Sequence, residues 1–452
     1  MSRSAATLNM TTGAPLPLLL RFCLPILLGN LMQQLYNMTD AAVVGQFVGT
    51  EALAAVGATG SILFMVIGFV DGMCAGLCIP LARSFGGDDQ PMLRRCLAHA
   101  VYLAVCFAAI LTALTSLTLG WLLNAMNTPA DIYEYAFIYL RVVFLGIPAT
   151  IFYNLTAGIL RALGNSRTPL YFLIFASILN IALDLLLVLG FRMGVLGVAL
   201  ATVIAQLTAS LGCFVYIRRR YPMLRPSREE WRFDFSIALR MLLSGLPMAL
   251  QYSITAIGSI LIQTAINNLG SLLVASVAAA LKIHNLALLP FTTLGSAMAT
   301  WCGQNMGAKS IDRVEEGVRC GMKIAIVYSI AMGVLLFIFG KPMTLLFLQA
   351  NDPNLPILTA NAQAFIRANC CCYILLGTLT VYRFSLQGLE YGPLAMFAGI
   401  FELAARSSIA LFLAPVWGFA VIRFANPAAW VAACILLLPA YHIVLKKVKS
   451  RL

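Results

Sequence analysis

The sequence predicts an all-α membrane protein of twelve transmembrane helices, arranged as two parallel-repeat six-helix bundles. Three observations predict it. The 452 residues are 61% hydrophobic and only 10% charged, at a mean hydropathy of +0.90, whereas a soluble domain carries about 25% charged residues. Apolar runs of spanning length follow one another almost without pause. The first half is also written again in the second. Gly49-Thr-Glu-Ala-Leu-Ala-Ala-Val-Gly-Ala matches Gly270-Ser-Leu-Leu-Val-Ala-Ser-Val-Ala-Ala, and Gly86 matches Gly307, both 221 residues apart.

The runs fall at roughly 16–44, 52–82, 93–123, 133–160, 169–190, 194–217, 236–266, 272–302, 317–348, 358–386, 394–414 and 417–445. Several exceed the ~20 residues needed to span, which implies tilt or extension beyond the bilayer. None alternates over about ten residues as the strands of a membrane barrel would, so the class is helical. Pro25, Pro148, Pro247 and Pro290 lie inside these runs and permit bends. The polar stretch Arg218–Phe235 joins two lobes, 1–217 and 236–452, with 218–235 as a linker. Each lobe has six helices, so both share one orientation.

The net charge of +13 is not a nucleic-acid signal. Basic residues sit in alternate loops: Arg83, Arg94 and Arg95, then Arg161 and Arg167, then Arg218 to Arg232. Lys309 and Arg313 follow, then Lys446, Lys447, Lys449 and Arg451. This is the positive-inside pattern, with both termini and the linker cytoplasmic. The first fifteen residues are polar and show no signal peptide. The twelve cysteines have no metal-ligand spacing and read as packed free thiols.

Acids inside apolar helices need a reason, because each ionised one costs ~2.5–3.5 kcal/mol at mid-membrane. Asp40 lies near the outer end of the first helix, four residues from Tyr36 and three from Asn37. Asp184 lies on the fifth helix, four residues after Asn180, also in the outer half. Thr202 on the sixth helix falls at a similar depth. Two carboxylates, an amide oxygen and a hydroxyl at one level could bind Na⁺ or hold a proton. Alternatively, each acid is hydrogen-bonded to its neighbouring helix and purely structural. The second lobe lacks this set: Asp40 maps near Ile262, Asn180 onto Ala404, Asp184 onto Ser408 and Thr202 onto Arg423. A repeated lobe with one-sided chemistry points to a transporter with a proton or cation site in its first lobe.

Other polar residues fit the pattern less simply. Asp71 faces the cavity or bonds a backbone break at Gly72. Lys282 and His284 lie on the eighth helix. Glu402 and Arg406, four apart, form an ion pair. Arg367, Arg383 and Arg423 find acids or carbonyls.

From Leu18 to Leu445 the chain resembles the multidrug and toxic compound extrusion (MATE) family, DinF-like prokaryotic branch. The motifs are Leu24-Pro25, Tyr36-Asn37-x-x-Asp40, Gly49…Ala54-Ala55, Arg161-Ala-Leu-Gly-Asn-Ser-Arg-Thr-Pro169, Asn180…Asp184 and Gly303-Gln-Asn-Met-Gly-Ala308. The resemblance implies a V-shaped pair of bundles and a cation-coupled antiporter, using H⁺ or Na⁺. It would export amphipathic organic cations by rocking-bundle alternating access. It maps the coupling site onto Asp40, Asn180, Asp184 and Thr202. These would also hold any Na⁺; no other metal and no cofactor is expected. Tyr36, Asn37, Tyr139 and Asn154 are implied neighbours. Asp71, Lys282, Glu402 and Arg406 depart from the family pattern and are taken as cavity residues.

The expected setting is a monomer in the cell membrane, in contact with lipid and small amphipathic substrates but not nucleic acid. An alternative within the same superfamily is a flippase or exporter of lipid-linked or anionic metabolites, which the basic residues of the second lobe keep open. An intramembrane enzyme is disfavoured: Gly-x-Gly-Asp, His-Glu-x-x-His, Gly-x-Ser-x-Gly and Walker motifs are all absent.

Overall fold

The computed structural model describes residues 7–126, 128–348 and 352–450, and every regular element among them is helical. Arg451 of the basic tail lies outside the described residues. The first half contains α1 (Pro15–Val43), α2 (Thr50–Ala58), α3 (Gly60–Leu77), α4 (Ile79–Gly86), α5 (Gln90–Ala125), α6 (Ala130–Leu145), α7 (Ile147–Ala162), α8 (Arg167–Leu185) and α9 (Gly194–Arg220). The second contains α10 (Phe235–Asn267), α11 (Ser271–Gly307), α12 (Ile311–Thr344), α13 (Leu355–Cys370), α14 (Tyr373–Gly388) and α15 (Gly392–Ser408). Two single turns, α16 (Ala414–Trp417) and α17 (Phe419–Ile422), precede α18 (Ala425–Lys449).

Among the described residues, ten spans are long and apolar enough to cross a bilayer, and the number reaches twelve when α6–α7 and α13–α14 each count as one bent span. Only helices satisfy all their backbone groups inside hydrocarbon without a partner strand, which is why the apolar runs take this form. Their outward faces carry apolar side chains such as Leu117 and Phe412, suited to lipid.

The repeat is visible in the backbone. The two bent spans turn by 46° and 47° at matching places. Positive φ recurs at Gly49 and Gly270, at Asp88 and Lys309, and at Gly194 and Gly418. Pro25, Pro247 and Pro290 lie inside α1, α10 and α11, whereas Pro148 opens α7 just after the bend. The second expected run is divided at Thr59 and Cys78. The expected backbone break at Gly72 is not there; α3 runs through it.

Contacts divide the chain into two compact units. Unit 1 is Leu24–Ala249 with the described residues up to Thr12; unit 2 is Gly13–Cys23 with the described residues from Leu250 on. In unit 1, α3 meets the first half of α10 backbone to backbone. A Cβ on Gly72 would lie 2.6 Å from Met248 O, and one on Gly76 would lie 2.5 Å from Gly245 Cα. This is the small-residue packing that lets helices approach closely inside a membrane.

The linker is strapped to α5, also within unit 1. Arg94 Nε meets both Glu230 oxygens at 2.7 and 2.9 Å. Arg95 Nη2 reaches Asp234 at 2.8 Å, and Tyr102 donates to Trp231 O at 2.8 Å. Buried His99 accepts the Asp234 N–H at 2.8 Å. Burial raises the Glu230 pKa, but the Ser227 N–H and the Arg94 guanidinium outweigh it and hold the carboxyl below its ordinary 4.5.

Two outcomes follow. Gly76→Leu should cost at least about 1–3 kcal/mol by overpacking and deplete monodisperse protein in size-exclusion chromatography. Gly57→Leu, where a Cβ meets nothing within 4 Å, should not. A lowered carboxylate pKa stabilises above the unfolded value and is lost as pH falls through the folded one. The strap should therefore hold above about pH 4.5 and loosen below it, read as protease sensitivity of the linker; Glu230→Gln should remove that pH dependence.

Candidate functional site

The polar nucleus of unit 1 lies where α1, α8 and α9 meet. Asp40 is three residues from the end of α1, and Asp184 is one from the end of α8. Both helices then open into π-helical turns, Val44–Val48 and Leu186–Gly190, a distortion often found at functional sites. Asp40 is 8% exposed, Asn180 1% and Asp184 0%.

The structure brings the four expected residues together. Thr202 Oγ1 lies 3.2 Å from Asp40 Oδ2 and 3.1 Å from Val198 O. The Asp40 carboxyl also faces the side chains of Asp184 and Asn180. Yet Asp40 Oδ1, both Asp184 oxygens, and both side-chain polar atoms of Asn180 have no hydrogen-bond partner. Buried polar atoms are ordinarily paired, so five orphans in one place require an explanation. No basic side chain is among the groups acting on either acid. The structural alternative, in which each acid is satisfied by its neighbouring helix, is met only by Asp40 and only at one oxygen.

One side of the nucleus is sealed by apolar residues: Val43 and Val44 of α1 and its π turn, Val188, and Val195 and Val198 of α9, with Tyr139 packed against them. The other side opens on a cavity of about 20 Å³ lined by Gln33, Tyr36, Asn180, Thr202 and Gln206 among others, room for a single water. Buried Tyr36 lies between Asp40 and Asp71 electrostatically and interacts with Gln33 and Gln206. Gln206 accepts from Thr150 at 2.6 Å.

Asp71 forms a second station: Asn154 Nδ2 donates to its Oδ1 at 2.7 Å, and Arg161 acts on it from the basic end of α7. Asn37 stands apart from these residues, exposed on α1.

Unit 2 has a buried nucleus of another kind. Glu402 pairs with Arg383 on α14 and, at 3.5 Å, with Arg406 one turn along α15. The expected Glu402–Arg406 pair is therefore present, with a third member. Arg406 Nε also donates to Asn426 at 3.3 Å. Two cations share one anion, and Arg383 Nε and Arg406 Nη1 remain without acceptors.

The remaining basic residues of this unit sit elsewhere. Lys282 is exposed. His284 is buried, 3.0 Å from Tyr373 OH and stacked on Trp430. Arg367 and Arg423 bond carbonyls of Phe337 and Ala420.

All four residues of the first nucleus offer oxygen, the ligand set of a hard cation or a proton. No group of three or more His, Cys, Asp or Glu placed to hold a metal ion occurs among the described residues. Gln33 and Gln206 escaped the reading of the sequence, and Arg161 entered it only as a loop arginine and motif residue. Gln33 is three residues before Tyr36 and Gln206 four after Thr202, so helical spacing was the available signal.

A multi-pass helical protein with a titratable oxygen cluster buried in one of two repeats is the class defined by fold and site. The sequence profile of MatE matches residues 25–186 and again residues 247–411. The chain belongs to the MatE family.

It is 30% identical over 356 residues to the "Probable multidrug resistance protein YpnP" of Bacillus subtilis, covering 76% of this chain and 77% of that one. It is 27% identical to the "DNA damage-inducible protein F" of Escherichia coli, over 70% of each chain. The fold also matches the outward-facing conformation of a multidrug resistance MATE family transporter of the MOP superfamily. That match has a TM-score of 0.91 at 22% identity and covers 99% of both chains.

The two nuclei should respond oppositely to neutralisation. Asp184→Asn removes a charge that nothing compensates, so its unfolding temperature should equal or exceed that of the unmodified protein. Glu402→Gln leaves two arginines buried without an anion and should cost about 3–5 kcal/mol. Thermal unfolding in detergent checks both.

Proposed function

We propose that the protein is an antiporter that exports amphipathic organic cations, driven by H⁺ or Na⁺ entering at Asp40, Asn180, Asp184 and Thr202. The observation that carries this reading is the pair of buried carboxyl groups with no counter-charge. A proton or Na⁺ supplies the missing positive charge, and so does a cationic substrate. The two compete, and linkage requires that each weakens the other's binding. Tyr36 and the small cavity beside it give the ion a polar approach, and Asp71–Asn154 extends it toward Arg161. Alternating access by rocking of the two bundles is the mechanism this reading adopts. On this reading both termini and the linker are cytoplasmic, which the arginine-rich loops support, and the protein works as a monomer in the cell membrane. Transport needs no covalent step, so the reading is not enzymatic.

A second reading draws on unit 2. Arg383 and Arg406 together carry one more charge than Glu402 balances, with two N–H groups unpartnered. That favours an anionic or lipid-linked cargo instead.

Proteoliposomes test both. With a pH or Na⁺ gradient imposed separately, efflux of ethidium should respond to one of them. Asp40→Asn and Asp184→Asn should abolish that response. Thr202→Ala should reduce it about two- to ten-fold, the worth of one hydrogen bond of about 0.5–1.5 kcal/mol. The paired change Glu402→Gln with Arg406→Gln should preserve coupling. Gradient-driven efflux persisting in Asp184→Asn would sink the coupling role; movement of anionic cargo only would establish the second reading.

A further inference from the structure

Unit 1 holds a second, larger hollow remote from the acids. It is a groove of about 780 Å³ between α5, α7 and α9, at the end where the linker arginines gather. Val101 and Val105 of α5, Phe152 of α7 and Phe214 of α9 line its trough. Val105 is 63% exposed and Phe214 41%. Exposed apolar side chains on spanning helices suit hydrocarbon better than water, so the trough is suited to an acyl chain.

Its mouth is different. Arg218 in the last turn of α9, and Arg225 and Trp231 of the linker, stand there. Arg225 Nη2 donates to Arg218 O at 3.0 Å, which sets the two guanidinium-bearing residues side by side. Neither pairs with an acid among the described residues. The lip is held in place by the strap already described: Tyr102 holds the Trp231 carbonyl and Arg94 holds Glu230. The groove is therefore preformed.

An apolar trough under a cationic rim with an interfacial tryptophan selects a molecule with a chain at one end and negative charge at the other. A cationic amphiphile is repelled by the rim. A soluble anion leaves the trough empty. We propose that this groove binds one anionic phospholipid, its acyl chain along α5 and α9 and its phosphate between Arg218 and Arg225. Lipid binding does not depend on the transport reading.

Native mass spectrometry of the purified full-length protein tests it, with dioleoyl phosphatidylglycerol and dioleoyl phosphatidylcholine at equal concentration. Phosphatidylglycerol should be retained in preference. Arg218→Ala and Arg225→Ala should each cut that preference about five-fold. Val101→Trp, or the milder Ala108→Leu, fills the trough and should expel the lipid without changing charge. Arg219→Ala, adjacent but outside the groove, should leave retention unchanged. Glycerol 3-phosphate, the headgroup without its chain, should fail to compete. Equal retention of the two lipids overturns the proposal. So does an Arg219→Ala loss as large as that of Arg218→Ala, or displacement of the lipid by glycerol 3-phosphate.

Discussion

Burying two carboxyl groups side by side without a cation is the constraint on which the first unit turns. An isolated ionised carboxylate in a low-dielectric interior is held at a cost of several kcal/mol. Asp184 has no exposed surface and faces the Asp40 carboxyl, which is met otherwise by the uncharged Thr202 and Asn180. No basic side chain is among the groups acting on either acid. The surrounding residues keep it that way. Valines from α1, α9 and the two π turns exclude water on one side. A cavity with room for one water adjoins the nucleus on the other. The π turns begin within four residues of both acids, where an ordinary helix would have continued its register.

The membrane imposes the rest. Helices must satisfy their own backbone, so departures from regular helix occur at a few defined places. Gly146 and Cys371–Cys372 mark the two bends, and Gly49 and Gly270 start α2 and α11 with a positive φ. Close approach of α3 to α10 rests on Gly72, Gly76 and Gly245, whose missing side chains leave room for backbone. The strap joins the linker to the opening turns of α5 and uses conventional ion pairs, which an interfacial setting tolerates at little desolvation cost.

Much of this was legible in the sequence because the periods were long and the exceptions few. Twelve apolar runs could hardly be anything but helices, and the offset between Gly49 and Gly270 exposed the duplication. Asp40, Asn180, Asp184 and Thr202 stood out because acids and amides are rare in such runs and shared a depth. Asp71 was visible, but its partner was not: Asn154 lies eighty-three residues away, and a single sequence carries no pairing information at that range. Glu402 and Arg406 announced themselves by four-residue spacing. Arg383, the other partner, sits on another helix and could be named only as a candidate. The interruptions at Thr59 and Cys78 were missed because hydrophobicity is continuous across them.

The two nuclei explain why a duplicated fold can have one-sided chemistry. Asp184 ends α8 just before a π turn, and the serines at 407 and 408 end α15 just before another, Ile409–Leu413. The backbone device was thus kept in both halves. In the second, Glu402 is already neutralised by two guanidinium groups, which do not surrender protons in proteins. Its charge is fixed by the chain itself. In the first, no basic side chain is among the groups acting on the two acids, so the chain supplies no such balance. The asymmetry of Asp184 against Ser408 therefore leaves two buried acids without a counter-charge in one unit, and an excess of buried positive charge in the other.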